Sequence, residues 1–195
     1  MSHIEQLVKQ YCPNGVEYRD LETLANIDTG EQLNKNLLYD DGLYPVMNGG
    51  IYPSGRYNEY NTDKDNIAIS QGGASAGYVN WMTENFWAGA HCYTIQLTTK
   101  EVLKKYVYYI LKNNQDDFMK SQQGAGIPSL SRKQLNKLSI PVPPLPVQEE
   151  IVKILDAFTS LEAELEAELE ARKKQYEYYR NQLLSFDENT TGGGN

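Results

Sequence analysis

Histidine and cysteine are scarce in this 195-residue chain, which has two of each. Cys12 and Cys92 are far apart and neither belongs to a CxxC pair, which argues against a disulfide scaffold or zinc site and for a reducing compartment. His3 and His91 have no ligands at metal spacing, and His91, beside Cys92, reads as a strand residue. No Gly-Lys-Ser/Thr follows the glycine runs, so there is no phosphate-cradling P-loop. The strand–GxGxxG–helix setting of a dinucleotide site is absent, as is the Asn/Asp-Pro-Pro-Tyr/Phe box that holds a target amine for methyl transfer. Asp63, Asp65 and Glu59 fit solvated loop carboxylates better than a magnesium site. The start, Met1 to Gln10, lacks the long apolar core of a signal peptide, and no apolar run reaches the length of a membrane span. These absences predict a cytoplasmic protein that is not an enzyme by itself and holds no cofactor.

Proline and glycine are also missing from Val147 to Phe186, directly after the proline-dense Ile140-Pro141-Val142-Pro143-Pro144-Leu145-Pro146. Apolar or aromatic residues then recur at Ile151, Ile154, Phe158, Leu161, Leu165, Leu169, Tyr176, Tyr179, Leu183 and Phe186, with Arg172 filling one seam position. The spacing alternates three and four, with one extra four between Leu165 and Leu169. That is a heptad seam with one stutter. Glu162, Glu164, Glu166, Glu168 and Glu170 lie between seam positions, followed by Arg172, Lys173 and Lys174. Glutamate and alanine are strong helix formers, and Pro146 suits a first helical turn. The pattern predicts one helix roughly 60 Å long. Its seam needs another helix, either a second copy or, in the blander reading, the chain's own globular part.

Charge follows the same seam. Residues 1–145 hold 13 Lys/Arg against 15 Asp/Glu, while residues 146–195 hold 5 against 11. Most of the net charge of −8 therefore belongs to the helix, and a nearly neutral head can still present a basic face. Glutamates on the helix suit a basic protein partner or simply solvate it. The expected architecture is α+β. Residues 1–145 form a mixed, strand-rich domain, 146–186 a long C-terminal coiled-coil helix, and 187–195 a frayed tail.

Within the head, His3 to Tyr11 reads as a short helix ended by Cys12-Pro13-Asn14-Gly15. Val16 to Arg19 reads as a strand entering a short helix or turn at Leu21 to Leu24. Tyr44 to Met47 leads into a turn at Asn48-Gly49-Gly50. Asn66 to Ser70 is a short buried strand, and Gly77 to Trp81 and His91 to Leu97 alternate as strands do. Lys100 to Gln115 is expected to be helical, with Glu101 and Lys112 matching its dipole. Gln134 to Ile140 is expected to be extended.

Three motifs carry a resemblance. They are Gly126-Ile127-Pro128-Ser129-Leu130-Ser131, Leu138-Ser139-Ile140-Pro141-Val142-Pro143-Pro144-Leu145, and Gln148-Glu149-Glu150-Ile151-Val152-Lys153-Ile154-Leu155-Asp156. They resemble the conserved region of the specificity subunits of Type I restriction–modification systems. The stretch from Leu169 to Arg180, with Leu183-Leu184-Ser185-Phe186, is similar to the rest of that helix. Cys12-Pro13-Asn14-Gly15-Val16-Glu17-Tyr18 resembles the opening of a target recognition domain. Such subunits usually carry two recognition domains and two long helices paired antiparallel; this chain has room for one of each and looks like a half-subunit. The unpaired apolar seam then points to a homodimer, whose two identical heads on a two-fold axis would read a bipartite inverted repeat of double-stranded DNA. The resemblance implies a modification subunit using S-adenosylmethionine, and indirectly a restriction subunit using ATP and magnesium. The helix would carry the modification subunits, through faces such as Glu164, Glu168 and Lys173-Lys174. A decoy that binds modification subunits without reading DNA, a single-domain reader for a fused methyltransferase–nuclease, and an idle product of a recombining cassette also fit.

The resemblance further implies DNA contact by loops of the head in the major groove. Arginine and lysine reach guanine there, and asparagine and glutamine pair with adenine. The candidates are Asn48, Arg56 and Tyr57 around one loop and Gln71 and Ser75 in a second. Lys120, Gln122, Gln123, Ser129, Arg132 and Lys133 belong to a third. Each also fits an ordinary solvated turn, and Arg132 and Lys133 also fit the start of a helix or strand at the base of the proline segment.

Overall fold

The computed structural model describes residues 2–120 and 129–185. Gln122, Gln123, the Gly126-Ile127-Pro128 part of the first motif, Phe186 and the tail 187–195 lie outside the described residues. By its internal contacts the chain divides into residues 1–152 and 153–195.

The first unit opens with α1 (His3–Tyr11), started by a reciprocal Ser2/Glu5 capping box. Strand β1 (Tyr18–Asp20) leads into a single 3-10 turn, Leu21–Thr23. Next come β2 (Ala25–Thr29), β3 (Tyr44–Met47), β4 (Arg56–Tyr57), β5 (Asn66–Ser70), β6 (Val79–Met82), β7 (Trp87–Ala88) and β8 (Cys92–Leu97). The rest of the chain is α2 (Lys104–Asn113), α3 (Gln115–Lys120), α4 (Arg132–Asn136), β9 (Ser139–Pro141) and α5 (Leu145–Leu184). An antiparallel sheet runs in the order β2-β8-β5-β6; a second runs β4-β3-β7, with β3 and β7 parallel; β1 pairs antiparallel with β9. This is the α+β architecture the sequence implies, with a strand-rich region followed by a long helix.

Strand β5 is buried along its whole length, because it separates two apolar clusters. Ile67 and Ile69 join Leu21, Leu24, Ile95, Leu111, Leu135 and Ile140 on one side, while Ala68 joins Met47, Met82, Phe86, Ala88 and Cys92 on the other. A strand buried on both faces reads as a continuous apolar run rather than an alternation.

Three expectations need correction. Helix α2 begins at Lys104, so Glu101 lies outside it and pairs instead with Arg19 at 2.7 Å. The N–H of Thr98 is taken by Leu24 O (2.9 Å) and that of Leu103 by Gln148 Oε1 (2.9 Å), which holds the approach to the helix open. Residues Gln134–Asn136 are helical rather than extended, because Ser131 and Gln134 form a capping box. Finally, β6 starts at Val79, and His91 lies in the turn ahead of β8.

The proline segment is a clamp. Val142 N–H donates to Glu17 O (2.8 Å), Leu21 N–H to Leu138 O (2.9 Å) and Tyr106 Oη to Pro141 O (3.1 Å). Val147 and Gln148, in the first turns of α5, are buried with the head. The N–H groups of both are met by Pro144 O, at 2.9 and 3.3 Å.

From Asp156 onward α5 is exposed on every face. Phe158, Leu161, Leu165, Leu169, Tyr176, Tyr179 and Leu183 are all large apolar or aromatic side chains among the exposed ones. Ion pairs on the helix surface, Arg172–Glu168 (3.4 Å) and Lys173–Glu170 (2.8 Å), are solvent-exposed and add little. No described helix is long and apolar enough to cross a membrane.

Leu135 is fully buried where α4 meets the core beside Leu21 and Ile140. Leu135→Ala is expected to destabilise the head by about 2–5 kcal/mol, measured by urea unfolding of the full chain.

Candidate nucleic-acid interface

The end of β5, the start of β8 and the end of β2 lie at one end of the four-stranded sheet, because both pairings are antiparallel: Ser70 faces Cys92 and Thr29 faces Tyr93. Three segments that are distant in sequence meet there. Ser70 Oγ donates to Gly49 O (2.6 Å), and Gln71 N–H donates to His91 O (2.9 Å). Asn48 Oδ1 accepts from His91 N–H (3.2 Å). Leu130 N–H donates to Gln71 O (2.8 Å), and Gly72 bridges to Ser129. Asn48, Gln71 and Ser129 are thus gathered around the His91 turn, with Ser75 half-buried in the turn that follows Gly73.

Gly77 closes this loop at φ +93°, a conformation open to glycine at little steric strain. A Cβ there would stand 2.7 Å from Phe118 Cβ, so glycine also lets α3 pack directly on the loop. Lys120, exposed at the end of α3, and exposed Ser129 bracket the segment that holds Gln122 and Gln123. Lys112 is held at this end too, since its Nζ donates to Val79 O (3.0 Å) and Gln115 Oε1 (2.8 Å) and lies 4.2 Å from the centre of the Tyr78 ring. Burial lowers its pKa, the nearby Asp116 opposing that shift. Its placement comes from these contacts, and sequence reasoning, which read it as a helix-dipole residue, had no signal for them.

Arg132 stands beside the cluster. Its Nη2 donates to Thr29 Oγ1 (2.7 Å), and its guanidinium lies 5.8 Å from the Tyr93 ring centre. Lys133 is exposed next to it in the first turn of α4. Arg56 and Tyr57 lie in the other sheet. Arg56 Nε donates to Gly42 O (2.7 Å), and its Nη2 donates to Leu43 O (2.7 Å) and pairs with Glu84 (3.2 Å). Tyr57 packs edge-on against Trp87 at 5.4 Å. The Arg56 guanidinium therefore ties the start of β4 to the segment that enters β3 and to Glu84.

His91 is exposed at the meeting point of the loops, a position that only the strand register reveals. Its neighbour Cys92 is buried, and burial pushes that thiol up to about 12, so at neutral pH it is protonated. What this end of the sheet offers a ligand is a group of hydrogen-bonding amides, a hydroxyl, an imidazole and cationic side chains, the set that reads base edges and phosphates.

The Type I restriction modification DNA specificity domain matches residues 13–171. The chain is 35% identical over 206 aligned positions to the specificity subunit of the Escherichia coli Type I restriction enzyme EcoR124I/EcoR124II, covering 96% of this chain and 48% of that one. It is 32% identical to the Type I restriction enzyme MpnII specificity subunit of Mycoplasma pneumoniae, covering 93% and 57%. The crystal structure of a Type-I restriction-modification system S subunit from M. genitalium superimposes with a TM-score of 0.72 at 31% identity, over 90% of this chain and 48% of that one. The chain spans about half the length of several curated relatives that it matches.

Arg56→Met removes three polar contacts and leaves the carbonyls of Gly42 and Leu43 short of a donor. It is expected to lower stability by about 1–3 kcal/mol, read as a shift of the urea midpoint at unchanged slope.

Proposed function

The chain belongs to the family of Type I restriction modification DNA specificity domains, and on that premise we propose that it is the sequence-reading component of a Type I restriction–modification complex. The observation that carries this reading is the gathering of Asn48, Gln71 and Ser129 around His91, with Arg132 alongside, at one end of the sheet. In this reading the amides read bases in the major groove, while Arg132, Lys133 and Lys120 hold phosphates. The chain's role is recognition. Methyl transfer from S-adenosylmethionine belongs to a modification subunit, and ATP- and magnesium-dependent cleavage to a restriction subunit recruited through it.

The exposed seam of α5 supports pairing with a second copy. Seven of its side chains from Phe158 to Leu183 are between 48% and 74% exposed, and covering them is worth about 25 cal/mol for each Å² of apolar surface removed from water. Charge favours the antiparallel arrangement. The acidic run Glu162–Glu170 precedes the basic Arg172, Lys173, Lys174 and Arg180, so reversal sets one copy's acidic half against the other's basic half. A parallel pair would set glutamate against glutamate. Two heads related by a two-fold axis then read an inverted repeat with a spacer between its halves.

Light scattering is expected to give a mass of twice 22.2 kDa for the chain, and Phe158→Glu is expected to return it to a monomer with an unchanged head. A monomeric parent chain would contradict the pairing. In complex with the modification subunit, Arg132→Ala and Lys133→Ala are each expected to weaken DNA binding by roughly three- to tenfold across all sequences, with a shallower salt dependence. Gln71→Ala is expected instead to relax the sequence preference, as read by methylation mapping.

A further inference from the structure

A cavity of about 270 Å³ lies beside the loop cluster and shares Asn48 with it. Leu33, Leu38 and Val46 give it apolar walls. Leu33 and Leu38 flank a 3-10 turn, Lys35–Leu37, which Asn34 starts by accepting from Asn36 N–H (3.0 Å). The turn is pinned to the head on both sides. Glu31 N–H donates to Ala88 O (2.8 Å) before it, and Tyr39 N–H donates to Arg56 O (2.9 Å) after it. Val46 lies in β3, and Ser54 Oγ donates to its carbonyl (3.2 Å). Gly89 completes the lining; a Cβ there would stand 2.5 Å from Asn48 Oδ1, so glycine lets the Asn48 amide lie against this wall.

The polar groups of the lining have capacity to spare. Asn48 Oδ1 is taken by His91 N–H (3.2 Å), while its Nδ2 has no partner among the described residues. Gln32 Nε2 donates to Leu33 O (3.2 Å), which leaves its Oε1 open as an acceptor among the described residues. Lys35 is exposed, and its ammonium pairs with no carboxylate among the described residues. Pockets for drug-sized ligands run from about 300 to 1,000 Å³, so this one suits a single small ring system. Apolar walls with one open amide donor and one open amide acceptor match the faces and the edge of a nucleobase. One cation is a poor match for the polyphosphate of a free nucleotide, but it suffices for one phosphate of a strand.

We propose that this cavity takes a nucleobase, one unstacked from the bound DNA, with Asn48 and Gln32 on its edge and Lys35 on the adjoining phosphate. The proposal rests on the DNA-reading role given above, and it holds whether or not two heads pair. A base that leaves the stack exposes its whole Watson–Crick edge, which a groove contact cannot reach. Asn48 then meets a base outside the stack, while Gln71 reads within the groove.

The test uses base analogues that brighten on leaving the stack, 2-aminopurine for purines and pyrrolocytosine for pyrimidines. They replace each position in turn of the duplex motif that the complex with the modification subunit methylates, and of its flanks. The methylated base is left out, because its extrusion serves the methyltransferase. One further position is expected to brighten severalfold on binding. Ser54→Trp, which fills the cavity from an exposed position, is expected to abolish that rise and to relax the preference at that base pair on the order of tenfold. Leu33→Trp fills the cavity from the turn and serves if Ser54→Trp does not fold. Free 2-aminopurine riboside, titrated into the full chain, reports the other source of the same chemistry and is expected to bind without saturating. Saturable binding of the riboside, with no position in the DNA brightening, would make this a small-molecule site and overturn the proposal. No brightening at all, or brightening that both tryptophan variants leave intact, would overturn it while selective DNA binding still stands. A parent complex that methylates no defined motif would overturn the DNA-reading role itself, and the proposal with it.

Discussion

The apolar seam of α5 is the constraint on which the rest depends. An isolated helix gains little from its own backbone hydrogen bonds, because nucleation is unfavourable and most helical stability in proteins comes from tertiary packing. From Asp156 onward α5 is exposed all round, yet it carries leucine, phenylalanine and tyrosine at three- and four-residue intervals. Such a stripe stays in water only at a cost that a second helix removes. Pairing is therefore where the physics of this chain and its proposed role meet, since the same contact that stabilises the helix would bring two heads onto one DNA.

The head is built to serve two ends of one sheet. At one end, the pairing of Ser70 with Cys92 and of Thr29 with Tyr93 gathers the polar loops and Arg132. At the other, Ala25 pairs with Leu97, and the segment that follows enters the Gln148 clamp. Helix α2 begins at Lys104, directly after its N-cap Leu103 in the clamp, and its last turn holds Lys112 against Val79, beside the loops. The solid part between them is the core around Ile67, Ile69 and Ile95, which carries the polar loops on a packed frame.

Sequence reasoning reached the elements whose signals are local. Helix α5 was legible because its periodicity runs unbroken by proline or glycine, α1 because a short amphipathic stretch ends at Cys12-Pro13-Asn14-Gly15, and β5 because its apolar run is bounded by turns. The later part of α4, Gln134–Asn136, reads as extended although Ser131 and Gln134 stand at capping-box spacing, a local signal that the following strand obscures. The start of α2 could not be read, since its N-terminal amide is capped by Gln148, distant in sequence. The gathering of Asn48, Gln71 and Ser129 around His91 depends on strand register, and the use of Arg56 depends on its approach to Gly42, Leu43 and Glu84; neither leaves a trace in spacing or composition.

The most direct test of the account is a pulsed dipolar distance between two copies of the chain, each spin-labelled at Asp156→Cys with Cys12 replaced by serine. Antiparallel pairing that sets Glu162–Glu170 against Arg172–Arg180 places the dyad near Ala171 and predicts a separation of roughly 45 Å, from the rise per residue on either side of it. A separation under about 20 Å would mean parallel helices with both heads at one end, and no dipolar coupling at all would mean that a second copy does not cover the seam. Either result would contradict the central claim.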